Sequence, residues 1–449
     1  MDRLYNWSWV EAQVQRTIDV WHGCAAHTLP HLPRYSPQQQ AQRELAYDQG
    51  LRSVELEAKR APRGRADRLE AQRRITAIFP PFAAVALGLE PDAIQLLTDG
   101  FLPAGTTFAR WAKRFDAAIS MADVIQACRN AWTVCGLQPL LGDRMEITPS
   151  ILGYSLLYPY SDNYLDHEKV ATSEKLRFSQ RFRDRLCGEE LVPRNRHESA
   201  VWAMVRLIEY QYPRSRYPQV FACLLAIHQA QEHSIAQLKG CGSPNDTEVL
   251  RMSCAKGGTS VLADACLSHG SLQDHEARFA FEWGALLQLG DDLQDVREDL
   301  RCGSVTLFSR AAAEGQPLDH LAIQLLHLSD HVAAGMRQML YGTSALKELL
   351  RMSWRSLILM AIANSPEFFS PPFLAELEYH SPFRFQFLRS KRKKLAGRRG
   401  LFKVLFDAFL EAGEDDLHEL PHPESWMQRA LDSNTAVGPG AIDRGRFVA

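Results

Sequence analysis

The chain has 449 residues, of which 46% are hydrophobic, enough for a sizeable core in one large domain or in two to three ordinary ones. Its formal net charge of -2 gives no overall attraction to nucleic acid or to anionic membranes, so we expect no nucleic-acid partner. The nine cysteines show neither a CxxC pair nor a metal-ligand spacing, which favours reduced thiols in a cytoplasmic protein.

The first 70 residues differ in composition from the rest of the chain. They begin MDRLYNWSWVEAQ, without the basic start and apolar stretch of a secretory signal, and include a Gln- and Arg-rich stretch from Gln38 to Arg74. We interpret residues 1–70 as an N-terminal extension, helical or partly disordered, and assign it no chemistry. The apolar run Ile75–Leu89 is broken by Pro80 and Pro81, so we expect no membrane span there.

Helical periodicity dominates from about residue 70 to residue 365, and alternating strand patterns with hairpin turns are scarce. The sequence therefore predicts an all-α fold, with a helical domain over residues 71–370 arranged as a bundle around a central cavity. Within it, Arg278–Leu300 has the pattern of one long helix with a broad apolar face.

A first acidic motif, Asp162-Asn163-Tyr164-Leu165-Asp166, follows an apolar and aromatic stretch that we expect to be buried. Carboxylates four residues apart lie on one helix face, so Asp162 and Asp166 would project together. Alone, such a motif is weak evidence, because aspartate is also common at helix starts and on solvated faces.

A second acidic motif, Asp291-Asp292-Leu293-Gln294-Asp295, follows the apolar run 281–290. Buried carboxylates require a cation or a basic partner. Two such motifs facing each other across a cavity would hold Mg²⁺, which prefers oxygen ligands and completes its shell with water and substrate phosphate oxygens. The pair of motifs therefore predicts a diphosphate site built on helices.

Basic residues near these motifs are candidates for binding the diphosphate: Arg129, Arg177, Arg181 and Lys256. Arg129 lies in an apolar segment, so it needs an anion, which is either the substrate or Asp123. Arg177 and Arg181 are one helical turn apart and could face the cavity or solvent. Lys256 precedes Gly257 and Gly258, which would permit close approach of a substrate, or it lies in a surface loop.

The predicted helix over residues 221–238 carries two histidines, His228 and His233, and we expect that they do not form a zinc site. Residues five apart do not share a helix face, so we interpret both as ordinary helix residues.

The C-terminal region divides into two parts. Residues 371–413 contain the basic run 389–399 and an amphipathic stretch to Leu410. Residues 389–410 would make peripheral contact with an anionic membrane, or form a solvated basic face beside a packed helix. Residues 414–449 are polar, and we predict a disordered tail.

Together, the DxxxD and DDxxD motifs on separate helices resemble those of the class I isoprenoid synthases, which include polyprenyl diphosphate synthases, squalene and phytoene synthases and terpene cyclases. The resemblance covers about residues 120–310. Gly290-Asp291-Asp292-Leu293-Gln294-Asp295 is close to the second motif of the chain-elongating enzymes. The first motif, with Asn163 where elongating enzymes carry aspartate, is more similar to the squalene and phytoene type.

The resemblance implies a Mg²⁺-dependent prenyl transferase, elongating or head-to-head, that ionises a prenyl diphosphate and releases diphosphate. Its implied catalytic and metal-binding residues are Asp162, Asp166, Asp291, Asp292 and Asp295. Lys256 is similar to the lysine that the family places against the diphosphate, and a homodimer is implied as well. The arginine pair that follows the first motif in elongating enzymes is missing. A terpene cyclase acting on a long prenyl diphosphate, and a non-catalytic protein that binds prenyl diphosphates or a partner enzyme, therefore remain alternatives.

Overall fold

The fold is seen in a computed structural model that describes residues 5–60, 64–166, 170–238, 245–396 and Leu410. Within these ranges the chain forms α-helices, two short π-helical segments and one 3-10 turn, with no strand. The prediction of an all-α fold is therefore confirmed. No described helix is both long enough and apolar enough to cross a membrane.

The helices follow each other with short connections. The N-terminal third contains α1 Trp7–Gly23, α2 Pro37–Lys59, α3 Arg65–Phe82, α4 Pro91–Leu96, α5 Leu102–Phe115 and α6 Met121–Leu140. The π-helical segments Ala83–Leu87 and Leu97–Phe101 lie on either side of α4. The middle contains α7 Pro149–Asp166, α8 Thr172–Cys187, α9 Arg196–Gln211, α10 Pro218–Leu238 and α11 Asp246–His269. The remainder contains α12 Asp274–Gln294, α13 Val296–Cys302, α14 Leu307–Ala313, α15 Asp319–Arg337, α16 Ser344–Asn364, α17 Pro371–Glu378 and α18 Phe385–Ala396.

Helix starts follow from side chains that accept hydrogen bonds from the first backbone N–H groups. At the start of α11 the Asn245 side chain accepts from the Glu248 N–H at 2.9 Å, and the Glu248 carboxylate accepts from the Asn245 N–H at 2.7 Å. This reciprocal pair satisfies two of the donors that a helix leaves without internal partners. Helix α8 ends at Gly188, whose φ of 104° lies in the left-handed region that favours glycine.

Helix α11 is the centre of the bundle. It packs against α12, α10, α6, α1 and α7, and its side chains are buried on most of its faces from Val249 to Ser268. A helix buried on all sides needs small residues where backbones meet, and α11 carries Gly257 and Gly258 at its contact with α12. The position of α11 decides where the large cavity of the molecule lies.

The N-terminal residues take part in this core. Val10, Val14, Ile18 and Trp21 of α1 are at most 3% exposed and pack into the main hydrophobic cluster, against α11, α12 and α15. Helix α2 is joined to the C-terminal part of the chain, because Arg384 donates from its guanidinium Nε to Glu44 at 3.0 Å. The predicted extension 1–70 is thus helical in most of its described part.

The predicted long helix Arg278–Leu300 is wrong in one respect, because it is interrupted at Asp295. This residue has φ -97° and ψ 6°, in the bridge region between helix and strand conformations, and it separates α12 from α13. Its backbone N–H still donates to the Asp291 carbonyl at 2.9 Å. The second acidic motif therefore occupies the last turn of α12 and the bend after it.

Candidate active site

A cavity of about 990 Å³ lies between α6, α7, α11, α12 and α16, with contributions from α3, α8 and α10. This volume is at the upper end of the range for small-molecule sites. Apolar side chains form most of the wall, among them Phe79, Phe101, Trp132, Leu157, Phe182, Leu224, Trp283, Leu287, Leu350 and Trp354. Such a wall suits a long hydrocarbon rather than a polar substrate.

Four charged residues lie near one another in the cavity wall, and we call this part of the cavity the mouth. Arg129 of α6, Lys256 of α11 and Asp291 and Asp295 of α12 and its bend all line it. One Arg129 guanidinium nitrogen lies 3.2 Å from the Asp291 carboxylate, and the Arg129 side chain is 64% exposed. The expectation that Arg129 is buried is therefore wrong, and the anion that it meets in this structure is Asp291, not Asp123.

Asp292 points away from the cavity, although it is the neighbour of Asp291. Successive helix residues are about 100° apart, and this rotation places Asp292 against α11, where it is 6% exposed. The Ser253 hydroxyl donates to one carboxylate oxygen at 2.6 Å, and the Gln288 amide donates to the other at 2.8 Å. Of the second motif, Asp291 and Asp295 line the cavity, whereas Asp292 supports the helix contact behind them.

Two carboxylates of the second motif, Asp292 and Asp295, have a raised pKa. Burial, and secondarily the charge of Asp291, raises the pKa of Asp292 to about 6 and raises that of Asp295 as well. Burial followed by repulsion from Asp292 and Asp295 raises the pKa of Asp299 to about 7. Such a group of like charges favours a bound cation.

Asp299 was not anticipated from the sequence, although it continues the four-residue spacing of Asp291 and Asp295. No set of three or more His, Cys, Asp or Glu side chains in the described part of the chain is placed to hold a metal ion by itself. A cation at the mouth would therefore need ligands beyond these carboxylates, such as water and substrate oxygens.

We expect Asp292→Asn to raise the free energy of unfolding at pH 8 much more than at pH 4.5, measured by urea denaturation without divalent cations. The folded state holds the Asp292 proton up to a pKa of about 6, against 3.8 ordinarily, so wild-type stability falls as pH rises between these values. The full effect is about 3 kcal/mol at most. Asp274→Asn, at the exposed start of the same helix, is the control, and an equal effect of both substitutions would contradict the assignment.

The first acidic motif lies in the last turns of α7. The side chains of Asp162 and Asp166 lie outside the described residues, so the structure does not test their predicted role as metal ligands. Among the described side chains of the same helix, Tyr154, Leu157 and Ser161 line the cavity. The Tyr154 hydroxyl donates to the Ser260 carbonyl at 3.3 Å, which ties this face of α7 to α11.

Arg177 and Arg181 do not line the cavity. Arg177 is exposed on α8, and Arg181 donates from two guanidinium nitrogens to the Glu198 carboxylate, both at 2.9 Å. This pair holds the pKa of Glu198 below its usual range despite burial, which acts in the opposite direction. We therefore leave both arginines out of the proposed site.

Lys256 is in the middle of α11, not in a surface loop. The glycines that follow it serve a helix contact: a Cβ at Gly257 would overlap the Gly284 carbonyl oxygen of α12, and a Cβ at Gly258 would overlap the ring of Phe281. The close approach that these glycines allow is thus between two helices. It brings Lys256 and Asp291 to the same cavity.

Sequence reasoning missed several polar residues of the cavity wall. Asn130 and Asp264 line it, and so does His228, which is 3% exposed and lies 3.4 Å from the Glu232 carboxylate. His233 is exposed and meets the Trp7 ring edge-on at 4.5 Å. The two histidines therefore do not share a site, as their spacing predicts.

Comparison with protein-family models, with curated proteins and with solved structures gave no match.

Proposed function

We propose that this protein ionises a prenyl diphosphate with the help of Mg²⁺ and releases diphosphate, most simply as a prenyl transferase of the class I isoprenoid synthase type. The observation that carries the proposal is the cavity of about 990 Å³, which combines a charged part with a largely apolar wall. An amphiphile with an anionic head and a hydrocarbon chain matches both parts. The resemblance of the two acidic motifs points to the same class of substrate.

The residues at the mouth fit a Mg²⁺ site. Asp291 and Asp295 would provide oxygen ligands, which Mg²⁺ prefers, and the pKa of Asp295 is raised first by burial and then by the charge of Asp291. Asp162 and Asp166 would complete the set from α7. Mg²⁺ bound there would neutralise charge that develops on the departing diphosphate.

The remaining chemistry belongs to side chains of the chain itself. Lys256 and Arg129 would donate hydrogen bonds to diphosphate oxygens, and Arg129 would exchange its Asp291 partner for the substrate. The apolar wall would exclude water, which would otherwise capture the carbocation. Trp283 and Trp354, whose ring centroids are 5.2 Å apart, both line the cavity, and their aromatic rings would attract a cation.

The fate of the carbocation after ionisation distinguishes two enzymes. A transferase joins the cation to a second isoprenoid, whereas a terpene cyclase closes it on its own chain. On the motifs alone the transferase comes first, because both motifs consist of aspartates, and the cyclase comes second. A third alternative is not an enzyme: a helical protein that only binds prenyl diphosphates or a partner enzyme. A homodimer and peripheral membrane contact through residues 389–410 remain proposals, and residues 397–409 lie outside the described residues.

The test is diphosphate release from farnesyl and geranylgeranyl diphosphates with Mg²⁺, with and without isopentenyl diphosphate, and with identification of the extracted products. Release that needs isopentenyl diphosphate identifies an elongating enzyme. Release without it identifies a cyclase or a self-coupling enzyme. A folded protein that binds these substrates, as shown by a thermal shift, but releases nothing would be the binding protein.

We expect Lys256→Ala to lower the rate of release by about 10²-fold, because it removes a cation aimed at the leaving group. Arg177→Ala is the matched control. This arginine is exposed and outside the cavity, so its loss is expected to change the rate by less than about twofold. Equal losses in the two variants would mean that the diphosphate binds elsewhere.

A further inference from the structure

A carboxyl group lies in the cavity wall about two helical turns along α11 from Lys256. Lys256, Ser260 and Asp264 are spaced by four along α11 and all line the cavity. With a rise of 1.5 Å per residue, Asp264 lies about 12 Å from Lys256 along the helix. It therefore faces the part of the cavity that a hydrocarbon chain would fill, rather than the diphosphate.

The surroundings of Asp264 leave half of its carboxyl group without a partner. The Asn130 side-chain amide of α6 donates to Oδ1 at 2.9 Å and lies 3.1 Å from the Ser155 hydroxyl. Oδ2 has no hydrogen-bond partner among the described residues, and the side chain is 0% exposed. Burial raises the pKa of Asp264 well above its ordinary value, and the bond from Asn130 opposes this only in part.

A buried carboxyl group with one oxygen left without a partner lowers the stability of the fold, so we expect it to have a function. A buried polar atom without a partner destabilises a protein by roughly 1–3 kcal/mol. An apolar residue at this position would avoid that loss and would serve equally well in a cavity that only accommodates a growing chain. The partner that compensates a carboxylate in apolar surroundings is a positive charge. In a cavity where a carbocation forms, such a charge arises during the reaction.

We propose that Asp264 is the base that ends the carbocation reaction by taking a proton from the carbon next to the cationic centre. The C–H bond breaks, its electron pair becomes the new C=C bond, and the proton passes to Oδ2 and later to solvent. Asn130 is a positioning residue that holds Oδ1, so that Oδ2 is left for the substrate.

This inference rests on the proposed function and selects one branch of it. Coupling at the ionised carbon would place the cation near the mouth. A cation about 12 Å deeper is reached when the chain closes on itself and the charge moves along it. Asp264 therefore favours the cyclase over the elongating transferase, and the product is a hydrocarbon rather than a longer diphosphate or an alcohol.

The test compares wild type with Asp264→Asn, using farnesyl and geranylgeranyl diphosphates with Mg²⁺ and measuring both diphosphate release and extracted hydrocarbons. The asparagine keeps an acceptor oxygen for Asn130 but cannot take the proton. We expect the yield of the main wild-type olefin per diphosphate released to fall by at least about tenfold, in favour of other hydrocarbons or alcohols. Arg177→Ala, exposed on α8 and outside the cavity, is the control and should retain the main product.

Asn130→Ala is a second variant, and it keeps the carboxyl group of Asp264. It tests the role of Asp264 as the base even if Asp264→Asn does not fold. We expect the same change of products to a smaller degree. Unchanged products per diphosphate in these variants, or a wild-type product that is an alcohol or a longer diphosphate, would overturn the inference while leaving the ionising site in place. Absence of release by wild type would instead refute the proposed function itself, and this inference with it.

Discussion

Asp291→Ala is expected to lower the rate of Mg²⁺-dependent diphosphate release by at least about 10³-fold, a larger loss than we expect from Lys256→Ala. Asp291 is the residue of the second motif that both lines the cavity and meets a cation, Arg129. Its loss leaves Asp295 as the cavity-lining carboxylate of that motif. The measurement is a steady-state assay of diphosphate over a range of Mg²⁺ concentrations.

The same substitution should not weaken the fold. Asp291 carries a charge that raises the pKa of its neighbours Asp292, Asp295 and Asp299. Removing this repulsion leaves the free energy of unfolding unchanged or raises it. An inactive variant that is as stable as wild type is the signature of a functional carboxylate whose position is unfavourable for stability.

Asp274→Asn is the matched control for this experiment, because it changes an exposed aspartate at the other end of α12. It should keep the wild-type rate. If Asp291→Ala released diphosphate within about fivefold of wild type, the second motif would not be the ionising site.

We expect Gly284→Ala to lower the free energy of unfolding strongly. A Cβ at Gly284 would overlap the backbone carbonyl of Gly257 where α12 crosses α11. Backbone atoms cannot rotate away as a side chain can, so the helices must move apart at the centre of the bundle. We expect a loss of at least about 2 kcal/mol in the free energy of unfolding, the range of strongly overpacked cores.

Gly290→Ala on the same helix is the matched substitution. A Cβ at Gly290 meets no atom within 4 Å. Alanine there should instead add about 0.5–1 kcal/mol, since glycine in a helix interior is destabilising relative to alanine. Urea denaturation of the pair tests the close crossing of α11 and α12, and equal stability of the two variants would contradict it.

The helices of this protein follow from local signals that a single sequence carries. Apolar residues recur at helical spacing, and pairs such as Asn245 with Glu248 cap the helix starts. The bend at Asp295 is different, because no proline or glycine marks it. It follows from the conformation of one residue between two helices that each pack against other elements.

The candidate site likewise combines features that can be read from the sequence with features that depend on tertiary packing. The spacing of Asp291 and Asp295 is visible in the sequence, whereas the sequence left open whether Lys256 lies in a surface loop or in a helix. That Arg129 pairs with Asp291, and that Arg181 pairs with Glu198 instead of facing the cavity, could not be predicted. These pairs join residues of different helices, and spacing along one helix contains no information on which helix lies opposite.

By itself, then, the sequence determined the all-α fold and the acidic motifs, because each depends on residue spacings within a few residues of the chain. The tertiary structure alone decided which face of each helix is turned inward. It turned Asp292 to Ser253 and Gln288, placed Asp264 in the cavity wall, and made Gly257 and Gly284 a helix contact. The physical reason is that side-chain burial is set by the packing of α11 against its neighbours, which involves residues far apart in the chain.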